Sequence, residues 1–443
     1  MIRVLLIVCL LLPGLALAQS VEKSGEKPRL KDFGSSLKKL KWDPQRNATT
    51  ETRTTSPDDD EVIKIETALV VSELLVLDKQ NRPVQGLKQS DFVITEEGVP
   101  QQVGHFLLGD NRSLPRSIVL IIDYSGSQFP YIKNSVEAAD VLVDKLGPLD
   151  QMAIVTDDVE VLCDFTNNKR ELKKKLNTLL EKSRGTEGFL GIGGTRRQFG
   201  KSAQYSALLA TLKEAFDEEH QRPIIIFQTD GDEAEYLRNS IIVPMVPPDL
   251  PPQMVAVVQN QIEQRRQLQR SSMTEFSLED VYRAVEKSRA TIYTVVPGAK
   301  LIGLTPEQQL ATVMAEDERA INEMLPTLSK KAREAFIARQ DARKRVVPKQ
   351  VLQMRAEDNA KLQEALSAVA PLSGGWTEFL ERPEQAQGIY SRIMSDISQR
   401  YIVGYYPTNK ERDGKRRRIT FEVKGHPEYT ILGRRSYFAP GPD

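Results

Sequence analysis

The run Ser117-Ile118-Val119-Leu120-Ile121-Ile122 is followed at once by Asp123-Tyr124-Ser125-Gly126-Ser127. A short unbroken apolar run predicts a strand buried on both faces, the kind found inside a parallel sheet. Residues two apart in an extended segment point the same way, so Asp123, Ser125 and Ser127 converge just beyond the strand. Oxygen donors of this kind suit Mg²⁺, Mn²⁺ or Ca²⁺ rather than Zn²⁺. The carboxyl ends of strands in an open α/β sheet are where ligands bind.

The rhythm after residue 116 fits that strand. Helical periodicity over 131–146 follows it, then strands at Met152 to Thr156 and Val159 to Asp164. Helices are predicted at Asn168 to Lys182 and Ser202 to Phe216, and a second apolar strand at Ile224 to Gln228 runs into Thr229-Asp230-Gly231-Asp232. A helix at 278–288 and a strand at Thr291 to Val296 continue the alternation. Strands alternating with helices imply a doubly wound sheet. Residues 301–360, rich in Ala, Glu, Gln, Lys and Arg, interrupt it. The capping box Thr305-Pro306-Glu307-Gln308 opens them, and two or three helices are expected. They read as a solvated excursion or as a partner-binding arm.

The flanks read differently. Residues 61–112 and 401–443 carry short alternating strands with turn residues between, such as Glu97-Gly98. Neither flank has enough strands for a core of its own, so the two are expected to pack together.

The first residues have the form of a secretory signal. Arg3 precedes the apolar run Val4 to Leu12, and Ala16-Leu17-Ala18 fits a peptidase site before Gln19. Residues 19–60 are polar and read as a linker. Removal of the signal takes Cys9 with it and leaves Cys163 alone, so no internal disulfide is expected. The 61 basic residues equal the 61 acidic ones, which lacks the basic excess that nucleic-acid binding favours. No later run is long enough to span a membrane. The expected location is periplasmic or extracellular.

An enzymatic reading lacks parts. The three histidines, His105, His220 and His426, lie on separate segments without ligand spacing. There is no Gly-x-Ser-x-Gly elbow, P-loop or His-Glu-x-x-His motif. Asp157-Asp158 reads as a turn. A metal-dependent hydrolase and a metal-free envelope scaffold remain the alternatives to a binding module.

The run from Asp123 to Ser127 resembles the Asp-x-Ser-x-Ser opening of the metal-ion-dependent adhesion site in von Willebrand factor A domains. Leu77 to Leu87, Asp91 to Gly98, Tyr401 to Asn409, Asp413 to Lys415 and Arg435 to Pro440 are similar to the flanking segments of the VWFA-related domain family of Acidobacteria. The likeness covers roughly 62–300 and 360–440; the helical insertion and Arg196 to Lys201 depart from it. It implies an α/β, doubly wound, mostly parallel sheet (von Willebrand A, Rossmann-like), a flanking β-sandwich built from N- and C-terminal strands, and a helical insertion. The implied order is signal 1–18, linker 19–60, β segment 61–112, A domain 113–300, insertion 301–360, A domain 361–400 and β segment 401–443.

The same resemblance implies a metal site of Asp123, Ser125, Ser127, Ser202 and Asp230. Ser202 stands where the family has threonine, with Thr195 as the competing candidate. The implied partner is a protein whose Asp or Glu completes the metal shell, met by a rim of Tyr124, Gln128, Phe129, Glu233 and Tyr236.

Overall fold

The computed structural model describes residues 69–108, 115–125, 128, 131–184, 203–216, 222–327, 329–330, 333–338 and 347–441. The expected signal, the linker and residues 61–68 of the expected N-terminal β segment lie outside them.

Four strands come first: β1 (Val70–Leu77), β2 (Phe92–Glu96), β3 (Val99–Gln101) and β4 (Val103–Leu108). The α/β part follows with β5 (Ser117–Ile122), α1 (Ile132–Asp144), β6 (Gln151–Thr156), β7 (Val161–Thr166) and α2 (Lys169–Arg184). It continues with α3 (Gln204–Glu214), β8 (Pro223–Gln228), α4 (Pro252–Ser272), α5 (Leu278–Lys287) and β9 (Thr291–Pro297). The insertion supplies α6 (Pro306–Met324) and α7 (Lys349–Ser367). The short α8 (Val369–Ser373), β10 (Thr377–Leu380) and α9 (Ala386–Gln399) close the α/β part. The chain then forms β11 (Tyr401–Tyr405), β12 (Arg416–Val423), β13 (Thr430–Leu432) and β14 (Ser436–Phe438).

The central sheet has six strands in the order β10-β9-β8-β5-β6-β7. All neighbours are parallel except β6 and β7. The four residues 157–160 between that pair are too few for a crossover, so the chain turns back as a hairpin. β5 sits in the middle and is buried at every position, as its unbroken apolar run requires. Ile118, Leu120 and Ile122 pack under α1, α2 and α9. Val119 and Ile121 pack under α3, α5 and the α7–α8 turn. Capping boxes at Ser277–Asp280 and Thr305–Gln308 start α5 and α6.

The flanks do combine. One four-stranded sheet runs β13-β1-β11-β4 and another β14-β12-β2-β3, all antiparallel. Their inner faces share a core that includes Leu74, Val76, Phe92, Ile94, Val103, Tyr401, Val403, Tyr405, Ile419 and Phe421. β12 alternates exposed and buried along its length. Glu97 (φ 49°) and Gly98 (φ 82°) make the two-residue turn between β2 and β3, where left-handed geometry is required. Sandwich and α/β part meet through buried arginines. Arg222 Nε donates to Glu73 of β1 at 2.9 Å. Arg400 donates to Asp396 at 2.9 Å, to the Gly374 carbonyl at 2.8 Å and to the Glu73 carbonyl at 3.2 Å.

The insertion has a small core of Leu301, Leu310, Val313, Ala356 and Ala360. The boundary expected at residue 360 falls inside α7, which carries on unbroken until Leu366 enters the main core. Nothing in the sequence near 360 stops a helix: Glu357 to Leu366 contains neither Gly nor Pro. Asp358 of α7 also reaches the α/β part, because Arg265 donates to it at 3.1 Å and to Glu235 at 2.5 Å.

Candidate metal centre

β5 delivers Asp123 to the carboxyl edge of the sheet. Its N–H donates to the Gln228 carbonyl at 3.0 Å, which extends the pairing of β5 with β8 by one residue. Its carboxylate is fully buried and accepts hydrogen bonds at both oxygens. Oδ1 takes Ser125 N–H at 2.9 Å; Oδ2 takes Thr229 Oγ1 at 2.8 Å and Gln204 Nε2 at 3.2 Å.

β8 delivers Thr229 and Asp230 beside it. Gly231, at φ 72°, turns the chain so that Asp232 returns toward the same place. Asp230 Oδ2 accepts from Gln128 Nε2 at 2.8 Å, and its Oδ1 from Asp232 N–H at 3.3 Å. Asp232 Oδ1 accepts from Gln204 Nε2 at 2.6 Å. β6 adds a further carboxylate: Asp157, 3 % exposed, accepts Tyr124 N–H at 3.2 Å.

Four carboxylates therefore gather at one sheet edge. Burial raises Asp123 to about 6, and the Asp230 charge adds to the rise against the hydrogen bonds from Ser125 and Thr229. Burial, then the Asp123 charge, holds Asp157 well above the ordinary range. Burial, then Asp230 and Asp123, does the same for Asp232. For these three acids the largest influences are burial and one another's charge, opposed by hydrogen bonds from neutral donors. Buried like charges in that situation must take protons or a cation.

The donor chemistry fits a hard divalent ion: Asp123, Ser125 and Asp230 offer oxygen, and all three stand at the strand ends. Ser127, Ser202 and Thr195 lie outside the described residues. Among the described residues no group of three or more His, Cys, Asp or Glu side chains is arranged to hold an ion. The Gln204 amide supplies a physical reason, since its nitrogen lies between the Asp123 and Asp232 carboxylates.

Two residues expected on the rim are not there. Gln128 and Glu233 are each 2 % exposed. Glu233 caps α3: its Oε2 accepts Tyr205 N–H at 2.6 Å and Ser206 N–H at 3.0 Å, and its Oε1 accepts Ser206 Oγ at 2.7 Å. α3 begins after Ala203, which has no side chain to cap it, so its free N–H groups take a carboxylate from elsewhere. Tyr124 and Tyr236 are half-buried, and Tyr124 donates its hydroxyl to Asp158 at 3.0 Å. Phe129 lies outside the described residues. Sequence reasoning missed Asp157, Gln204 and Asp232 as members of the site. The spacing of Asp232 two residues after Asp230, and of Asp157 just after a strand, were the available signals.

No protein-family model matches the sequence, and no curated protein matches it. Several solved structures resemble it. The vWF domain of the type V pili tip protein Mfa5 from Porphyromonas gingivalis is 12 % identical, with TM-score 0.30 over 64 % of this chain and 95 % of that one. Manganese-loaded TRAP protein from Plasmodium vivax is 10 % identical, with TM-score 0.27 over 80 % and 100 %. Proximal thread matrix protein 1 from the mussel byssus is 9 % identical, with TM-score 0.30; the match covers 75 % of this chain and spans half the length of that protein. Likenesses this distant carry no argument by themselves. The fold class rests on the chain's own topology: a mostly parallel six-stranded sheet between two helical layers, von Willebrand A-like, with antiparallel sheets beside it. Among the described residues no helix is long and apolar enough to cross a membrane.

Proposed function

We propose that this is an exported binding protein of the VWFA-related kind, holding a protein partner through a divalent cation, Mg²⁺ or Mn²⁺ before Ca²⁺. Asp123, Ser125 and Asp230 would hold the ion together with Ser127 and Ser202, and Thr195 is the alternative to Ser202. Bound there, the ion would supply positive charge and an open coordination position for an Asp or Glu of the partner. Tyr124 and Tyr236 remain the rim residues of this reading, and Phe129 joins them as a proposal.

The observation that carries the reading is the fully buried Asp123 at the strand end, with the further aspartates Asp157, Asp230 and Asp232 gathered beside it and its own carboxylate held by neutral donors. This chain's residues hold Asp123 in place by its backbone bond to β8, keep it dry under the sheet edge, and orient Oδ1 through Ser125. Calorimetric titration with Mg²⁺ and Mn²⁺ tests it: the wild type should bind and Asp123→Ala should not. Partner capture should then be lost in EDTA. Equal affinity in the two proteins would end the metal reading.

A second reading is favoured by one contact. The Gln204 amide already bridges Asp123 and Asp232, which suits a metal-free scaffold protein of the envelope. Thermal stabilisation by Mg²⁺ separates the two readings, since only a ligand of the folded state raises its melting temperature.

A further inference from the structure

Gln204 is the first residue of α3 and is wholly buried. Its nitrogen serves both flanking acids, at 3.2 Å from Asp123 Oδ2 and 2.6 Å from Asp232 Oδ1. Its oxygen accepts Glu233 N–H at 3.1 Å, which fixes which end of the amide faces the acids. The carboxylates it joins repel each other. An amide N–H₂ has two hydrogens, and each is used on a different carboxylate.

We propose that Gln204 is an uncharged internal substitute for the cation: it keeps Asp123 and Asp232 together when no ion is bound, and it competes with an ion for their oxygens. The competition rests on the metal reading above; the substitution does not. Asp123 Oδ2 already accepts from Thr229 Oγ1 as well as from Gln204. Its lone pairs are taken, so an ion that uses this oxygen displaces one of the two donors. Of the two, Thr229 makes the shorter bond to this oxygen, 2.8 Å against 3.2 Å, and Gln204 keeps its bonds to Asp232 and Glu233 if it lets go. The donor that yields is Gln204. A side chain of similar size without the amide would leave the acids unbridged and leave the oxygen open.

The test compares the full chain with Gln204→Leu in EDTA and in saturating MgCl₂, by thermal melting and by calorimetric titration. The variant should melt below the wild type in EDTA and gain more from Mg²⁺. Its Kd for Mg²⁺ should be about tenfold lower, equivalent to about 1.4 kcal/mol. Gln204→Glu adds a carboxylate in the same place. It should show the same two changes more strongly, and it carries the test if the leucine chain does not fold. A Mg²⁺-induced gain no larger in either variant than in the wild type overturns the proposal. A wild type indifferent to Mg²⁺, beside a Gln204→Leu chain that binds it, supports the proposal and removes the metal-dependent function. A wild type that binds Mg²⁺ with an affinity that Gln204→Leu leaves unchanged does the reverse.

Discussion

The two edges of the central sheet bury charge in opposite ways. At the amino edge three carboxylates, two of them buried, are each held by an arginine. Arg116 Nε meets Asp150 at 3.0 Å, Arg222 meets Glu73 at 2.9 Å, and Arg400, wholly buried, meets Asp396 at 2.9 Å. At the carboxyl edge Asp123 and Asp157 are buried and Asp232 half-buried beside them, with amides, hydroxyls and backbone N–H groups as partners. The first edge is electrostatically closed and joins two parts of the fold. The second gathers carboxyl groups against neutral donors, a set of oxygens that a cation site can use. Burial alone therefore does not distinguish structure from function in this chain; the identity of the partner does.

The largest effect should come from opening the closed edge. Arg400→Met leaves Asp396 buried without its charged partner, with the Trp376 indole N–H still donating to it, and takes a donor from two backbone carbonyls. Removing one member of a buried pair costs about 3–5 kcal/mol, to be read from urea unfolding. The double variant Arg400→Met, Asp396→Leu should recover much of that loss. If it recovers none, the arginine matters through its carbonyl contacts rather than its charge.

Acidification should separate the edges by sign. Burial pushes Asp150 up, but its hydrogen bonds and charge contact with Arg116 outweigh this and hold it below 3.8. Its stabilisation is full above the unfolded value and is lost as pH falls through the lowered folded value. Asp123 reverses this. Its folded value is about 6 against 3.8 unfolded, so in that window the native chain holds more protons and stability falls as pH rises. In EDTA at neutral pH, Asp123→Asn should be the more stable protein, by at most about 3 kcal/mol for a shift of roughly two units. The gap should close on acidification toward pH ~4, where the native carboxyl is itself protonated. A gap independent of pH would show that Asp123 is not strained by its neighbours.

A smaller effect is expected at the turn that brings Asp232 back. Gly231 lies at φ 72°, and a β-carbon there would stand 3.2 Å from Leu366 Cδ2 and 3.3 Å from the Tyr205 hydroxyl. Gly231→Ala should cost about 1–3 kcal/mol in thermal or urea unfolding, from the left-handed backbone and the tight contact. The exposed pair Lys133–Glu137, 3.8 Å apart on α1, belongs to neither edge. Glu137→Ala should change stability by less than about 0.5 kcal/mol. A larger loss would mean that surface pairs weigh as much as the buried ones compared above.

The central strand and its terminal aspartate were legible because an apolar run followed by Asp leaves little freedom: the run must be buried and the acid must stand at its end. The same held for β8 and Thr229-Asp230. The reversal of β7 was visible only as a short connection. Their position beside the expected ion puts Gln128 and Glu233 on its rim, and the structure buries both. Glu233 is drawn inward by the bare amino terminus of α3, a demand that arises only once two distant segments are side by side. Gln204 was hidden for the same reason, since its meaning depends on two acids that reach it from β5 and β8.

The split sandwich has a kinetic consequence. β1 lies between β11 and β13, and the Leu87 N–H that donates to Tyr401 is 314 residues from it. During synthesis β1 to β4 must wait, unpaired with their main neighbours, until almost the whole α/β part has been made. Closing so long a loop costs little extra free energy, because the entropy grows only with the logarithm of length. It costs time, since such non-local pairing forms late. The α/β part can fold first and hold Glu73's partners, Arg222 and Arg400, ready. The sandwich is then the last piece to close, and its exposed strand edges before closure are the stage at which this chain is most open to wrong pairing.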